Sequence, residues 1–250
     1  MLWCLGMYAS GSTWLFNAAM MIGAAIAPAS PPVGRYVDSA EGLGFLNVQG
    51  GLVVIKTHDV EAAAIRTLSE QADGILVSIR DPRDTVTSLM IYQRYSLAQA
   101  LETTERSARA CARFATDPRT VLLRYEAGFI DDPATLDQIA IALAGTLSVT
   151  DRTRIFADTR REAIETHIAK LPELPTSLHD AASGDVVDTA TQWHTHHANR
   201  SGEIGRWRHF LTLGDVAIIE HQLADWMAAF GYQAEVAPYT RPVGVAPLGI

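Results

Sequence analysis

Lysine is almost missing from this chain. Lys56 and Lys170 are the only two, and the other 18 of the 20 basic residues are arginine. A lysine at position 56 therefore stands out against an arginine background. Cysteine is as scarce: Cys4 and Cys111 are too few for a disulfide framework. Two free thiols suit a reducing cytoplasm, which is the expected compartment. Positive charge is in deficit, with a formal net charge of −8. That argues against nucleic acid or an anionic membrane as the main partner. An anionic ligand would need a local cationic pocket working against the global field. Long apolar runs are few, and the segment Trp14–Pro28 is the main one. It lacks the basic flank of a signal peptide and is too short and too rich in Ala and Gly for a membrane span. It reads as a buried helix. No Gly-Lys-Ser/Thr occurs, which excludes a Walker A phosphate loop.

What is present is an ordinary globular composition, 48% hydrophobic and 19% charged over 250 residues. That fits one domain, 1–250, with a real core. Short apolar runs at Leu2–Met7, Leu52–Ile55, Gly74–Ile79 and Thr120–Arg124 read as strands. Helical patterns cover Val60–Gln71, the segment after Asp81-Pro82, Ser96–Ala115, Pro133–Ala144, most of Arg152–Ile168 and Asp215–Phe230. Residues 30–50 and Leu171–Asn199 read as loops. Strands alternating with helices predict an α/β fold, a parallel β-sheet flanked by helices on both faces.

Four segments carry candidate chemistry. After the first strand, Gly11 supplies a turn, and Ser10, Ser12 and Thr13 bring hydroxyls and N–H groups to a helix N-terminus. Orphan amides and the helix dipole both favour an anion there. Lys56-Thr57-His58 ends the second strand, at the carboxyl edge where parallel sheets bind ligands. A histidine there can act as a base and a lysine as an electrostatic clamp. Arg80-Asp81-Pro82-Arg83-Asp84 leaves the third strand, with Ser88 about two turns into the next helix. An arginine and a hydroxyl converging on one phosphate is good anion chemistry. Asp81 reads as a helix cap and Arg83 as part of a solvated face. Arg200-Ser201-Gly202, then Gly205-Arg206-Trp207, forms a Gly-rich loop able to close over a phosphate. Each segment alone has a bland explanation as a turn or a cap.

In this order they resemble the PAPS-dependent sulfotransferase family, PAPS being 3′-phosphoadenosine 5′-phosphosulfate. The family's Pro-Lys-Ser-Gly-Thr-Thr-Trp aligns with Tyr8 through Trp14. Its Lys-Thr-His matches Lys56, Thr57 and His58, and its Arg with Ser eight residues later matches Arg80 and Ser88. Its Tyr-Glu matches Tyr125 and Glu126, and its last motif matches Arg200, Gly202, Gly205 and Trp207. The resemblance runs from about residue 2 to residue 212. It implies a P-loop-type α/β fold and PAPS as co-substrate, with adenosine 3′,5′-bisphosphate (PAP) as product. It implies that Ser10, Gly11, Ser12 and Thr13 hold the 5′-phosphosulfate and that Trp14 stacks on adenine, with Tyr125 nearby. Arg80, Ser88, Arg200, Ser201 and Gly202 would hold the 3′-phosphate. His58 would take the acceptor's proton, and Lys56 would stabilise the leaving phosphate.

The chain departs from the pattern at Ala9, where the family has Lys or Arg. By analogy with loss of one oxyanion donor, that absence costs roughly 3–4 kcal/mol of transition-state stabilisation. Ser201 stands where the family often has Lys. Two rival readings follow: a nucleotide-binding protein of the same fold without catalysis, and a P-loop kinase-like phosphotransferase. The acceptor is a small molecule, glycan or lipid that the sequence does not name. His194, His196 and His197 read as a loop cluster and not as a metal site, since no Cys joins them. No metal is expected. Arg160 and Arg161 read as a solvated helix face, Trp226 as packing, and Asp131-Asp132 as a cap before Pro133.

Overall fold

The structure is a computed structural model and describes residues 1–47, 51–59, 62–181, 184–198 and 202–235. Its main sheet holds β1 (Leu2–Gly6), β2 (Val33–Tyr36), β3 (Val53–Thr57), β4 (Gly74–Ile79) and β5 (Thr120–Arg124). The order is β2-β3-β1-β4-β5, and every neighbouring pair is parallel. A small antiparallel hairpin, β6 (Ser177–His179) with β7 (Val186–Asp188), stands apart. The helices are α1 (Ser12–Ile26), α2 (Ala62–Gln71), α3 (Pro82–Tyr92), α4 (Leu97–Phe114), α5 (Ala134–Ala142), α6 (Val149–Asp158), α7 (Arg161–Ile168), α8 (Trp207–Phe210), α9 (Leu213–Gln222) and α10 (Ala224–Ala229).

β1, β3 and β4 are buried along their whole lengths. Such strands need cover on both faces, and the period of two divides their side chains between the faces. Trp3, Leu5, Ile55, Ile75 and Val77 pack one way, against α2, α3, α4, α9 and α10. Leu2, Cys4, Val54 and Leu76 pack the other way, against α1, α5 and α6. Both cysteines are free and buried. The chain leaves β1 toward β2 and β3, then returns to build β4 and β5 on the opposite side. The crevice of a parallel sheet opens at such a reversal, outside the carboxyl ends of the strands.

Four expectations change. The 30–50 segment holds a strand: Val33 N–H donates to Leu52 O at 2.9 Å and Val37 N–H to Lys56 O at 3.0 Å, which docks β2 on the sheet edge. The Leu171–Asn199 loop contains the β6–β7 hairpin, whose three-residue strands are too short to show a period. The helix expected over Arg152–Ile168 is two helices. Thr159 ends α6 and its hydroxyl turns back to Ile155 O at 2.8 Å, while Arg160 adopts extended backbone before α7. The terminal helix is likewise two, α9 and α10, meeting at Leu223. Of the helix expected from Val60, the residues 60 and 61 lie outside the described residues, as do the called sites Arg200 and Ser201. Among the described residues no helix is long and apolar enough to cross a membrane.

Candidate active site

The phosphate-type loop runs from Met7 to Gly11, between β1 and α1. Gly11 caps the helix with φ 81°, a left-handed conformation that suits glycine. A Cβ there would sit 2.9 Å from Phe129 Cζ. Gly6 is held even more tightly, since a Cβ would lie 2.5 Å from Ser12 Cβ and from Ser78 Oγ. Ala9 also has a positive φ, 56°. Its carbonyl accepts from Arg80 Nη1 at 2.9 Å, which pins that conformation. Ser10 is fully buried. Its hydroxyl donates to Met7 O at 2.7 Å and lies 2.7 Å from Ser78 Oγ, so it braces the loop from behind. Among the described residues no side chain caps the first amides of α1. A helix start left uncapped beside a cavity has the chemistry to hold an anion.

Lys56 and His58 are two residues apart, so they leave the end of β3 on the same side. Thr57 between them turns away and accepts from the Trp3 indole N–H at 2.8 Å. Lys56 is 4% exposed, and its Nζ donates to Thr13 Oγ1 at 2.8 Å. Burial pushes its ammonium down to about 7, against a smaller opposing influence of Cys4. His58 Nδ1 lies 2.8 Å from Gly6 O. A carbonyl only accepts, so Nδ1 carries the proton and Nε2 keeps its lone pair. The ring stacks on Tyr8, with centroids 4.3 Å apart. Burial, and then the Lys56 charge, push His58 down to about 3, so it is neutral near pH 7.

These groups line a cavity of roughly 640 Å³. Trp14 lines it too, fixed by its indole N–H donating to Thr159 O at 2.9 Å. Thr159 is the residue at which the expected long helix breaks, so the break aims that carbonyl at the indole. Tyr125 forms a wall, and its hydroxyl donates to Gly202 O at 3.1 Å. Ser88 and Gly202 also line the cavity. Arg80 is not among the lining residues. It lies one layer back, with Nη2 donating to Glu203 O at 2.6 Å and its guanidinium 4.5 Å over the Tyr125 ring.

The Arg80–Asp84 segment is a buried charge network. Asp81 caps α3 as expected, accepting from Arg83 N–H at 2.9 Å. Arg83 is not on a solvated face. It is 4% exposed, pairs with Asp81 at 2.7 Å and Glu220 at 2.6 Å, and lies over the Trp207 ring. Asp84 accepts from the N–H groups of Gly205 (2.7 Å) and Trp207 (3.1 Å). The glycine-rich loop is therefore anchored to α3 through one carboxylate.

No protein-family model matches the sequence, and no curated protein is similar enough to count as a relative. Solved structures do match. Mouse sulfotransferase SULT7A1 complexed with PAP superposes with a TM-score of 0.64 at 16% identity, covering 91% of this chain and 84% of that one. Retinol dehydratase with retinol and PAP gives 0.55, and with androsterone and the inactive cofactor PAP 0.53. Both are at 16% identity, over 94% of this chain and 82% of theirs. This chain has the sulfotransferase fold. On that fold, Gly11, Ser12, Thr13, Trp14, Lys56, His58, Ser88, Tyr125 and Gly202 share one cavity, while Ser10 and Arg80 stand behind its wall. The same cavity takes in residues that sequence reasoning did not assign to a site. Tyr36 comes from the unrecognised edge strand. Arg161 is on an exposed helix face as expected, paired with Glu165 at 2.8 Å, and also lines the cavity. His194, His196 and His197 also line it; their clustering was visible in the sequence, their destination was not.

Proposed function

We propose that this protein transfers a sulfuryl group from PAPS to a hydroxyl or amine of an acceptor. The first amides of α1, with Ser12 and Thr13, hold the 5′-phosphosulfate, and Ser10 keeps their loop in shape. Trp14 and Tyr125 flank the adenine. Ser88, Gly202 and the adjoining Arg200-Ser201 segment take the 3′-phosphate. Arg80 acts through the backbone it binds, at Glu203 next to Gly202 and at Ala9 in the 5′-phosphosulfate loop. In the transfer, His58 Nε2 removes the acceptor's proton as the acceptor oxygen or nitrogen attacks sulfur. The bond from sulfur to the bridging oxygen breaks, and PAP leaves with its new charge facing Lys56 and the loop amides. An in-line displacement of this kind depends on positioning and charge stabilisation.

The observation that carries the reading is the pairing of Lys56 and His58 beside the phosphate-type loop. Lys56 touches the first turn of α1 at Thr13, and His58 presents an unprotonated Nε2 because Gly6 O takes the other nitrogen. The three neighbours, all with PAP bound, lend the nucleotide, and the two retinol dehydratase structures, with retinol or androsterone, suggest a small apolar acceptor. Ala9 favours a second reading, nucleotide binding without efficient turnover, since the loop carries no cation of its own there.

A thermal-shift series tests the reading. PAP should raise the unfolding midpoint and 5′-AMP should not, because a ligand that binds only the folded state stabilises it. A shift with magnesium-ATP alone would replace the proposal with a kinase-like one. Incubation of labelled PAPS with an acceptor library then separates transfer from binding.

A further inference from the structure

One side-chain cluster is unused by the chemistry above. Asp185 stands just before β7, and His194 and His196 follow on the return of the chain, where His194 bridges back to Val187. The fold-back brings both Nδ1 atoms to a single oxygen. His194 Nδ1 lies 2.7 Å and His196 Nδ1 3.0 Å from Asp185 Oδ2. One ligand atom from each of the three residues lies within 4.8 Å of the others. The two rings are tilted by 41° with centroids 4.9 Å apart, so the nitrogens converge on that oxygen instead of lying in parallel planes. The other carboxylate oxygen is held from behind. Asp185 Oδ1 accepts from Thr195 Oγ1 at 2.6 Å and from His196 N–H at 3.4 Å. Backing of this kind orients a ligating carboxylate. His197 contributes no Nδ1, because that atom accepts from His194 N–H at 3.2 Å.

We infer that Asp185 Oδ2, His194 Nδ1 and His196 Nδ1 bind one divalent first-row transition-metal ion. Two imidazoles and one carboxylate suit zinc, cobalt, nickel or ferrous iron, whereas magnesium and calcium prefer oxygen alone. Metal–ligand distances of about 2.0–2.2 Å put tetrahedral ligand atoms about 3.3–3.6 Å apart. The two nitrogen–oxygen separations therefore open by about 0.3–0.9 Å to admit the ion. The protons balance without net release. Each neutral imidazole moves its proton from Nδ1, where it now faces Asp185, to Nε2, and the freed Nδ1 lone pair meets the metal. His194 and His196 line the cavity that holds Lys56 and His58, so the remaining coordination positions border the acceptor's space.

The alternative is a hydrogen-bonded His–Asp cluster that binds nothing, and Asp185→Asn separates the two. Asparagine keeps an oxygen for the imidazole protons but loses the ligating charge. The tag-free chain is titrated with Co²⁺, followed by visible d–d absorption, and with Zn²⁺ by calorimetry. One equivalent should bind with the d–d bands of an N/O site. Loss of an outer-shell partner alone costs 10–100-fold in affinity, so Asp185→Asn and His194→Gln should each lose at least about 100-fold, and Thr195→Val about 10-fold. Absence of saturable binding in the unaltered chain, or equal binding in Asp185→Asn, overturns the site. PAP thermal shifts on the same samples keep the questions apart. Metal binding without a PAP response removes the proposed function and leaves the metal site standing, and the converse removes only the metal site.

Discussion

If Lys56 grips the 5′-phosphate end of the nucleotide, PAP affinity must depend on pH in a way this lysine controls. In the ligand-free protein burial holds its ammonium at about 7. An anion beside Nζ favours the charged form, so binding raises that value and takes up a proton. At about pH 8 a group with a value near 7 is only ~10% protonated, so binding should take up ~0.9 proton per PAP. Affinity then falls nearly tenfold for each pH unit above the free value, about 1.4 kcal/mol per unit. Few neighbours confuse this window. His58, His194, His196 and His197 are all pushed down by burial and stay neutral. Tyr8, Tyr36 and Tyr125 are pushed up by burial and stay protonated. Terminal phosphates titrate near about pH 6, below the range that matters. Calorimetry between about pH 7.5 and 9, in buffers of different ionisation enthalpy, measures the uptake directly. Lys56→Met should abolish it and weaken PAP by about 1.5–3 kcal/mol at neutral pH. A flat affinity profile, or the same uptake in Lys56→Met, would refute the placement of the phosphate against Lys56.

Two other substitutions separate chemistry from architecture. His58→Gln should leave PAP affinity nearly unchanged and lower kcat by about 100-fold or more in any acceptor assay, as expected for loss of a general base; equal kcat would remove His58 from the proton transfer. Asp84→Ala frees the N–H groups of Gly205 and Trp207 and strips buried Arg80 of its carboxylate neighbour at 3.5 Å. It should lower stability by about 3 kcal/mol in urea unfolding, the scale for breaking a buried pair, and weaken PAP with it. Unaltered stability would mean that the glycine-rich loop docks by other contacts.

How much of this was legible beforehand follows from how much each element depends on its neighbours. The central strands could be read because they are buried on both faces and appear as unbroken apolar runs. The edge strand could not. Val-Gly-Arg-Tyr has no such run, and it becomes a strand because β3 offers a row of carbonyl and N–H partners. The break at Thr159 was hidden for a similar reason. Nothing in the helical pattern of α6 and α7 marks it, and its purpose appears only when Trp14 is seen binding the Thr159 carbonyl. For the site, residue identity and order were enough to gather Ser12, Thr13, Lys56, His58, Ser88 and Tyr125 into one cavity. They did not say which way a side chain turns. Ser10 and Arg80 sit in the expected motifs yet point into the wall, because each donates to a backbone carbonyl of the tight loop, Met7 O and Ala9 O. The Asp185 partnership was invisible, since the hairpin that brings it to His194 and His196 is set by tertiary contact.

Ala9 is the position where the pattern fails, and the loop itself indicates how to test its cost. A left-handed conformation costs an ordinary L-residue about 1–2 kcal/mol. At Ala9 it is offset by the charge-assisted bond from Arg80 to its carbonyl, a contact worth about 1.5–3 kcal/mol. The backbone is thus held through the carbonyl and not through the side chain, and Ala9 lines the cavity. A longer side chain can be introduced there without rebuilding the loop. Ala9→Lys restores a cation beside the bridging oxygen, and kcat should rise by about 10–100-fold, with PAP affinity rising as well. A gain in PAP affinity with no change in kcat would mean that Lys56, approaching from β3 to the first turn of α1 at Thr13, already stabilises the leaving phosphate. The cation would then have moved from the loop to the neighbouring strand instead of being lost.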